Sequence, residues 1–268
     1  MLKLAKGIKM DITRHNSKAW DKKVERGSNY TKPVSSEIIE QSKLGQWEIT
    51  VTTEKAVPRN WFPESIDGLH ILCLASGGGQ QGPILAAAGA DVTVLGISMK
   101  QLEQDEMVAK REGLNLKTVH GDMSDLSMFE ENYFDMVIHP VSNLFVKEIR
   151  PVWNEVSRVL RDKGILIAGF ANPLLWIFDD EQERKGILDV KYSVPSSTLD
   201  HLSEEKIEEY INANETIEYA HTLEDQVQGQ IDAGFVITGF YEDDFGGTRI
   251  IDNYIKTFIA TRAVKVKM

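Results

Sequence analysis

Cysteine is scarce in this 268-residue chain, in which Cys73 is the one thiol. A single cysteine forms no internal disulfide and builds no four-cysteine zinc site, and the six histidines show no ligand spacing such as H-x3-H, so we predict no metal centre. Long apolar runs are missing too, because the longest, residues 165–178, is interrupted by Asn172 and Pro173. The N-terminus also lacks the apolar stretch of a signal peptide. We therefore expect a cytoplasmic protein without a membrane segment.

Basic residues are in deficit, with 30 Lys and Arg against 41 Asp and Glu and a net charge of −11. This balance argues against a broad nucleic-acid surface and against an anionic membrane surface as partner. The charge is uneven, because residues 1–60 carry 12 basic against 7 acidic side chains, whereas residues 179–232 carry 4 against 15. The N-terminal leader is either packed on or solvated beside an acidic body, or it forms a local nucleic-acid patch.

Hydrophobic residues at 42% and charged residues at 26% are ordinary for a globular protein, and no repeat or low-complexity tract interrupts the chain. From His70 onward, short buried-strand patterns alternate with helical patterns of ten to fifteen residues. This alternation predicts an α/β fold, a Rossmann-like doubly wound sheet with parallel strands and helices on both faces. A late helix followed by two strand patterns, FVITGFYED and YIKTFIATRAVK, predicts an antiparallel hairpin that closes the sheet.

We expect one domain over residues 1–268. It comprises a leader (1–66), a core (67–171), an acidic and mostly helical insertion (172–222) and a closing helix with two strands (223–268). Within it we predict a short helix capped by Ser35 or Ser36, a small strand over residues 47–53, and a helix from Arg150 that is stopped by Gly164.

A glycine-rich turn follows the first core strand, where the sequence reads ASGGGQQG over residues 75–82. In parallel sheets a ligand crevice lies at the carboxyl ends of the strands, and a glycine turn there lets a ligand approach main-chain N–H groups. The order of strand, glycines and helix favours a nucleotide-type cofactor site. The alternative is a tight strand-to-helix connection without a ligand.

These segments resemble a known family. ILCLASGGGQQGPILAAAGADVTVLGIS, HGDMSDL, FDMVIHPVSNLFV and VLRDKGILIAGF are similar to the class I S-adenosylmethionine-dependent methyltransferases, particularly the bacterial type-11-like group. The resemblance is strong over residues 69–169, and the leader resembles that of one branch of the group. It implies a mostly parallel seven-stranded sheet with an antiparallel C-terminal strand, S-adenosylmethionine as the cofactor and a small-molecule O or N acceptor.

The resemblance also implies which residues contact the cofactor. They lie in four segments: the glycine turn, the end of strand two with its following helix, the segment after strand three and the segment after strand four. The residues are Ala75, Ser76, Gly77, Gly79, Gln80, Gln81, Gly96, Ile97, Ser98, Gln101, Gly121, Asp122, Met123, His139, Pro140 and Asn143. Two acids that the family commonly carries are missing, since Cys73 stands within strand one and Gly96 at the ribose position. Weak cofactor affinity, a water-mediated ribose contact or lost activity would follow.

Several of these side chains have a second interpretation. Asp122 either accepts from the adenine amino group or caps a following helical stretch. His139 is either the catalytic base or a structural or cofactor-contact histidine, because methyl transfer needs mainly alignment and a base is optional. Trp20 and Tyr30 in the leader either form an aromatic lid over the sulfonium or simply pack.

Phe170, Asn172 and Trp176 follow strand five and enter the insertion, so we expect them to face the substrate. Two other functions share the glycine turn. A non-catalytic S-adenosylmethionine-binding protein would explain the missing acids, and a nicotinamide-dependent oxidoreductase fits the closing strands less well. We expect a monomer or homodimer.

Overall fold

Buried strands separated by helices form the centre of the protein, as a computed structural model shows for residues 2–3 and 9–266. The leader contains β1 (Leu2–Lys3), β2 (Lys9–Met10), α1 (Ile12–Glu25) and α2 (Ser36–Lys43). The core contains β3 (His70–Leu74), α3 (Gln81–Ala87), β4 (Asp91–Gly96), α4 (Met99–Glu112), β5 (Leu116–His120), β6 (Phe134–His139), α5 (Arg150–Val159) and β7 (Leu160–Ala171). The remainder contains α6 (Asp180–Arg184), β8 (Ser196–Ser197), α7 (Glu204–Asn212), β9 (Tyr219–Ala220), α8 (Gly229–Asp232), β10 (Phe235–Asp243) and β11 (Phe258–Lys265).

The main sheet has seven strands in the order β10-β11-β7-β6-β3-β4-β5. β11 runs antiparallel to both of its neighbours, whereas β7, β6, β3, β4 and β5 are parallel. Strand order therefore reverses between β3 and β6, which places a ligand crevice beside the end of β3. The predicted fold class and the closing antiparallel hairpin are confirmed.

The first core strand shows why both faces of the sheet are covered. Ile71, Leu72, Cys73 and Leu74 are each 0% exposed. Ile71 and Cys73 pack into an apolar cluster on one face, and Leu72 and Leu74 pack on the other face into a cluster that includes Trp153. A continuous apolar run is typical of such a strand, and it leaves the polar turn after Leu74 at the edge of the sheet.

Three local predictions are wrong. Residues 47–53 form no strand but a single bridge between Thr50 and Ala56. The helix from Arg150 ends at Val159, since residues 160–171 are extended and Leu160 pairs with Phe134 of β6. The insertion is less helical than predicted, because α6 and α7 are separated by loops and the short β8.

Capping residues define two of the helix boundaries, and the first was predicted. The side chain of Ser35 accepts from the Ile38 N–H at the start of α2. Gly113 ends α4 with a left-handed φ of 66°, a conformation that glycine adopts without a Cβ penalty.

Candidate functional site

The glycine turn connects β3 to α3 and has two different sides. Gly78 and Gly79 have φ values of 126° and 74°, which disfavour any residue with a Cβ. An added Cβ on Gly78 would lie 3.2 Å from Thr31 Cα, and one on Gly79 would lie 3.0 Å from Pro33 Cβ. The leader therefore packs against Gly78 and Gly79, while the preceding residues of the turn face a cavity.

That cavity has a volume of about 1130 Å³ and lies at the carboxyl ends of β3, β4, β5 and β6. The structure brings two-thirds of the predicted site residues together along its wall. They are Trp20, Tyr30, Ala75, Ser76, Gly77, Gln80, Gln81, Gly96, Ile97, Gln101, Gly121, Met123, Pro140 and Trp176. The wall is completed by the 50–54 loop and by residues of the insertion.

His139 does not belong to this wall, although it is the predicted catalytic residue. It is 0% exposed and sits edge-on to Trp153, with 5.9 Å between ring centroids. Its Nδ1 donates to the Leu74 carbonyl at 3.0 Å, and its Nε2 contacts Asn143 Oδ1. Burial lowers the pKa of His139, which favours the neutral ring. These contacts favour the structural interpretation of His139 over its interpretation as a catalytic base.

Asn143 and Asn172 are also held by protein atoms. Asn143 is 1% exposed and donates from Nδ2 to Gln226 Oε1 at 2.7 Å. Asn172 donates to the Lys256 carbonyl and accepts from the Leu174 N–H. Neither side chain lines the cavity.

Phe170 is 0% exposed and packs within the sheet, and Gly79 faces the leader, so both also lie off the cavity wall. Ser98 is 0% exposed and caps α4. Asp122 accepts from Thr13 Oγ1 at 2.8 Å and from the Ser124 N–H at 2.9 Å. The helical stretch that it was predicted to cap does not form, because residues 121–133 between β5 and β6 contain turns and no helix. Gly121 and Met123, the neighbours of Asp122, do line the cavity.

At the position of the missing ribose acid, the cavity has room. A Cβ added to Gly96 would meet Leu102 Cδ2 at 3.7 Å, an ordinary contact. A carboxylate from α1 lies close by, since Asp21 Oδ1 accepts from Ser98 Oγ at 2.7 Å and from the Lys100 N–H at 3.2 Å. No sequence pattern indicates this acid, because 77 positions separate it from Ser98.

The leader helix α1 closes one side of the cavity. Trp20 packs edge-on against Phe145 with 5.2 Å between ring centroids, and Lys23 Nζ lies 4.6 Å from the Trp20 ring centroid. Ser17 donates to the Ile97 carbonyl at 2.6 Å. These contacts join the leader to the end of β4 and to the segment after β6.

The insertion supplies the opposite end of the cavity, where sequence reasoning missed several side chains. Thr216 Oγ1 donates to Glu218 Oε1 at 2.9 Å and accepts from Lys23 Nζ at 3.1 Å. Burial raises the pKa of Glu218 and lowers that of Lys23. Tyr192 and His201 stack with 3.6 Å between ring centroids and line the same region. This half of the cavity thus combines a half-buried carboxylate, a half-buried amine and aromatic rings.

Within residues 2–3 and 9–266, no group of three or more His, Cys, Asp or Glu side chains is arranged to hold a metal ion. In the same residues no helix has the length and apolar character to cross a membrane.

Comparisons with known proteins agree with the fold and the turn. The model of the methyltransferase domain family matches residues 72–168, from β3 into β7. The uncharacterized methyltransferase YbaJ of Bacillus subtilis is 56% identical over 255 residues, covering 95% of this chain and 99% of the relative.

Solved structures resemble the chain at low identity and support the fold. An S-adenosylmethionine-dependent methyltransferase from Mesorhizobium loti has 17% identity and a TM-score of 0.60, covering 77% of this chain and 95% of the other. A protein from Listeria monocytogenes, also described as an S-adenosylmethionine-dependent methyltransferase, has 17% identity and a TM-score of 0.57. The match covers 78% of this chain and 96% of the other.

The fold is that of the class I methyltransferases. The chain belongs to the methyltransferase family, as an enzyme of the class that transfers methyl groups. Family and structural neighbours imply S-adenosylmethionine as its cofactor.

Proposed function

We propose that the protein transfers a methyl group from S-adenosylmethionine to an oxygen or nitrogen of a small molecule that occupies the same cavity. The cavity volume carries this proposal. At about 1130 Å³ it exceeds the roughly 300–1,000 Å³ of ordinary ligand pockets, so it has room for cofactor and acceptor together.

The residues divide the cavity into two halves. Ala75, Ser76 and Gly77 would receive the amino-acid end of the cofactor, while Gly96 and Ile97 would lie beside its ribose and Gly121 and Met123 beside its adenine. The acceptor half would be formed by Trp176 and by the side chains of the insertion. Gly96 supports this placement, since it lines the cavity and a Cβ built on it would have its nearest neighbour, Leu102 Cδ2, at 3.7 Å.

When bound, the cofactor supplies a methyl group activated by a sulfonium. That methyl group would pass from the sulfur to the acceptor oxygen or nitrogen, and the acceptor would lose a proton. The chain contributes alignment and exclusion of water. Glu218 is our candidate for taking the proton, because its carboxylate lines the cavity and burial raises its pKa.

The leader would act as a lid. Trp20 and Tyr30 line the cavity. Lys23, which lies in α1 with Trp20, contacts the Trp20 ring. An aromatic ring attracts a sulfonium as it attracts other cations. We also propose a monomer or homodimer of the cytoplasm without a broad nucleic-acid surface, which fits the buried state of the single thiol and the net charge of −11.

Transfer of labelled methyl groups tests the acceptor class. The purified protein is incubated with methyl-labelled S-adenosylmethionine and a bacterial extract split into small-molecule and macromolecular fractions. We expect label in the small-molecule fraction, together with formation of S-adenosylhomocysteine.

Label in protein or RNA alone would contradict the acceptor class. Cofactor binding without any transfer, in extracts from several growth conditions, would favour a non-catalytic S-adenosylmethionine-binding protein. Glu218→Gln serves as the internal comparison, since it should reduce transfer at least about tenfold while leaving S-adenosylhomocysteine binding within about twofold.

A further inference from the structure

The glycine turn rests on a carboxylate that comes from a helix rather than from strand one. Cys73 lies in β3 and is 0% exposed. Burial, and after it the charge of nearby Asp105, raises the pKa of the Cys73 thiol. Asp105 belongs to α4, so the acid beneath the turn arrives 32 positions later in the chain than the thiol.

Asp105 contacts the turn directly. Its Oδ2 accepts from the Gly78 N–H at 2.8 Å, and the neighbouring Gly79 amide also favours the charged form of this carboxylate. A Cβ added to Gly77 would lie 3.7 Å from Oδ2, and one on Gly82 would lie 3.5 Å from Oδ1. The carboxylate thus lies under the turn, on the side away from the cavity.

This arrangement is costly for stability. Asp105 is 0% exposed, and its Oδ1 has no hydrogen-bond partner in the part of the chain that the structure describes. Burial raises its pKa to about 7, although the Gly78 and Gly79 amides act in the opposite direction. A buried acid with one unpaired oxygen lowers the stability of the fold. We therefore look for the role of Asp105 in the shape of the turn.

We propose that Asp105 is the positioning residue of the glycine turn. It orients the amides of Gly78 and Gly79 so that Ala75, Ser76 and Gly77 keep the shape that receives the amino-acid end of the cofactor. The inference rests on the proposed placement of that end at the turn. Asp105 itself lies behind the turn and acts through it.

Calorimetric titration of the full-length protein with S-adenosylhomocysteine tests the role. Asp105→Asn keeps the shape of the side chain and removes the charge, so we expect affinity to fall at least about tenfold. The thermal midpoint should stay or rise, because an amide is cheaper to bury than a carboxylate. Glu103→Gln is the matched control: it removes one acidic charge from the exposed face of the same helix and should change affinity less than about twofold.

A rescue variant separates positioning from general structure. In the double variant Cys73→Asp with Asp105→Asn, a carboxylate returns beneath the turn from β3, and we expect most of the lost affinity to be restored. This double variant also carries the test if the single Asp105→Asn variant fails to fold.

Two outcomes overturn the proposal. One is folded Asp105→Asn with wild-type affinity, and the other is a double variant that folds and still binds weakly. Failure of the wild-type protein to bind S-adenosylhomocysteine would instead refute the proposed placement of the cofactor.

Discussion

Gly96→Asp is expected to tighten S-adenosylhomocysteine binding by about 10- to 100-fold. The reason is a pair of charge-assisted hydrogen bonds to the ribose hydroxyls, each worth roughly 1.5–3 kcal/mol before the cost of desolvating the new carboxylate. The site can accept the side chain, since a Cβ there meets Leu102 Cδ2 at 3.7 Å. Calorimetry on the two proteins gives the ratio of dissociation constants.

Gly96→Asn is the matched control, because it has the same shape without the charge and should gain less than about fivefold. Equal affinities of Gly96→Asp and wild type would contradict our account of this position. The ribose would then depend on other groups, and Asp21 would be the first to examine because it already accepts from Ser98 and the Lys100 N–H.

Gly169→Ala is expected to lower the free energy of unfolding by about 3 kcal/mol or more. Gly169 lies in β7, and a Cβ there would stand 1.9 Å from the carbonyl oxygen of Val51. That oxygen also accepts from the Val141 N–H at 3.0 Å. Backbone contacts of this kind cannot be relieved by rotating a side chain, so the 50–54 loop that walls the cavity must move. Chemical denaturation monitored by tryptophan fluorescence measures the loss.

Gly96→Ala is the comparison for this experiment, because both glycines lie in strands of the main sheet. It adds the same methyl group where the nearest contact is ordinary, so a change below about 1 kcal/mol is expected. Similar losses in the two variants would mean that the close approach of β7 to Val51 does not determine the cost.

The fold was predictable because its signals are local. The apolar runs of β3 and β4, the amphipathic α4 ended by Gly113 and the closing hairpin each follow from patterns a few residues long. The glycine turn was predictable for the same reason, and Ala75 and Gly77 do line the cavity. The helix from Arg150 was predicted too long because pairing of Leu160 with Phe134 is a tertiary contact.

The groups that surround the turn were not predictable, because distant segments supply them. Asp105 of α4 accepts a hydrogen bond from the Gly78 N–H of the turn, and Lys23 donates to Thr216 across 193 positions. His139 misled in the opposite way: its place after a strand suggests access to the ligand, yet its ring points into the core. Sequence position locates the edge of a sheet, but it does not determine which side a side chain faces.

We expect this cavity to bind both S-adenosylmethionine and its demethylated product. The most direct measurement is calorimetric titration of the purified protein with S-adenosylmethionine, S-adenosylhomocysteine and NAD under identical conditions. We predict saturable binding of both sulfur compounds at about one site per chain and no heat from NAD. Saturable binding of NAD with no response to either sulfur compound would contradict the claim.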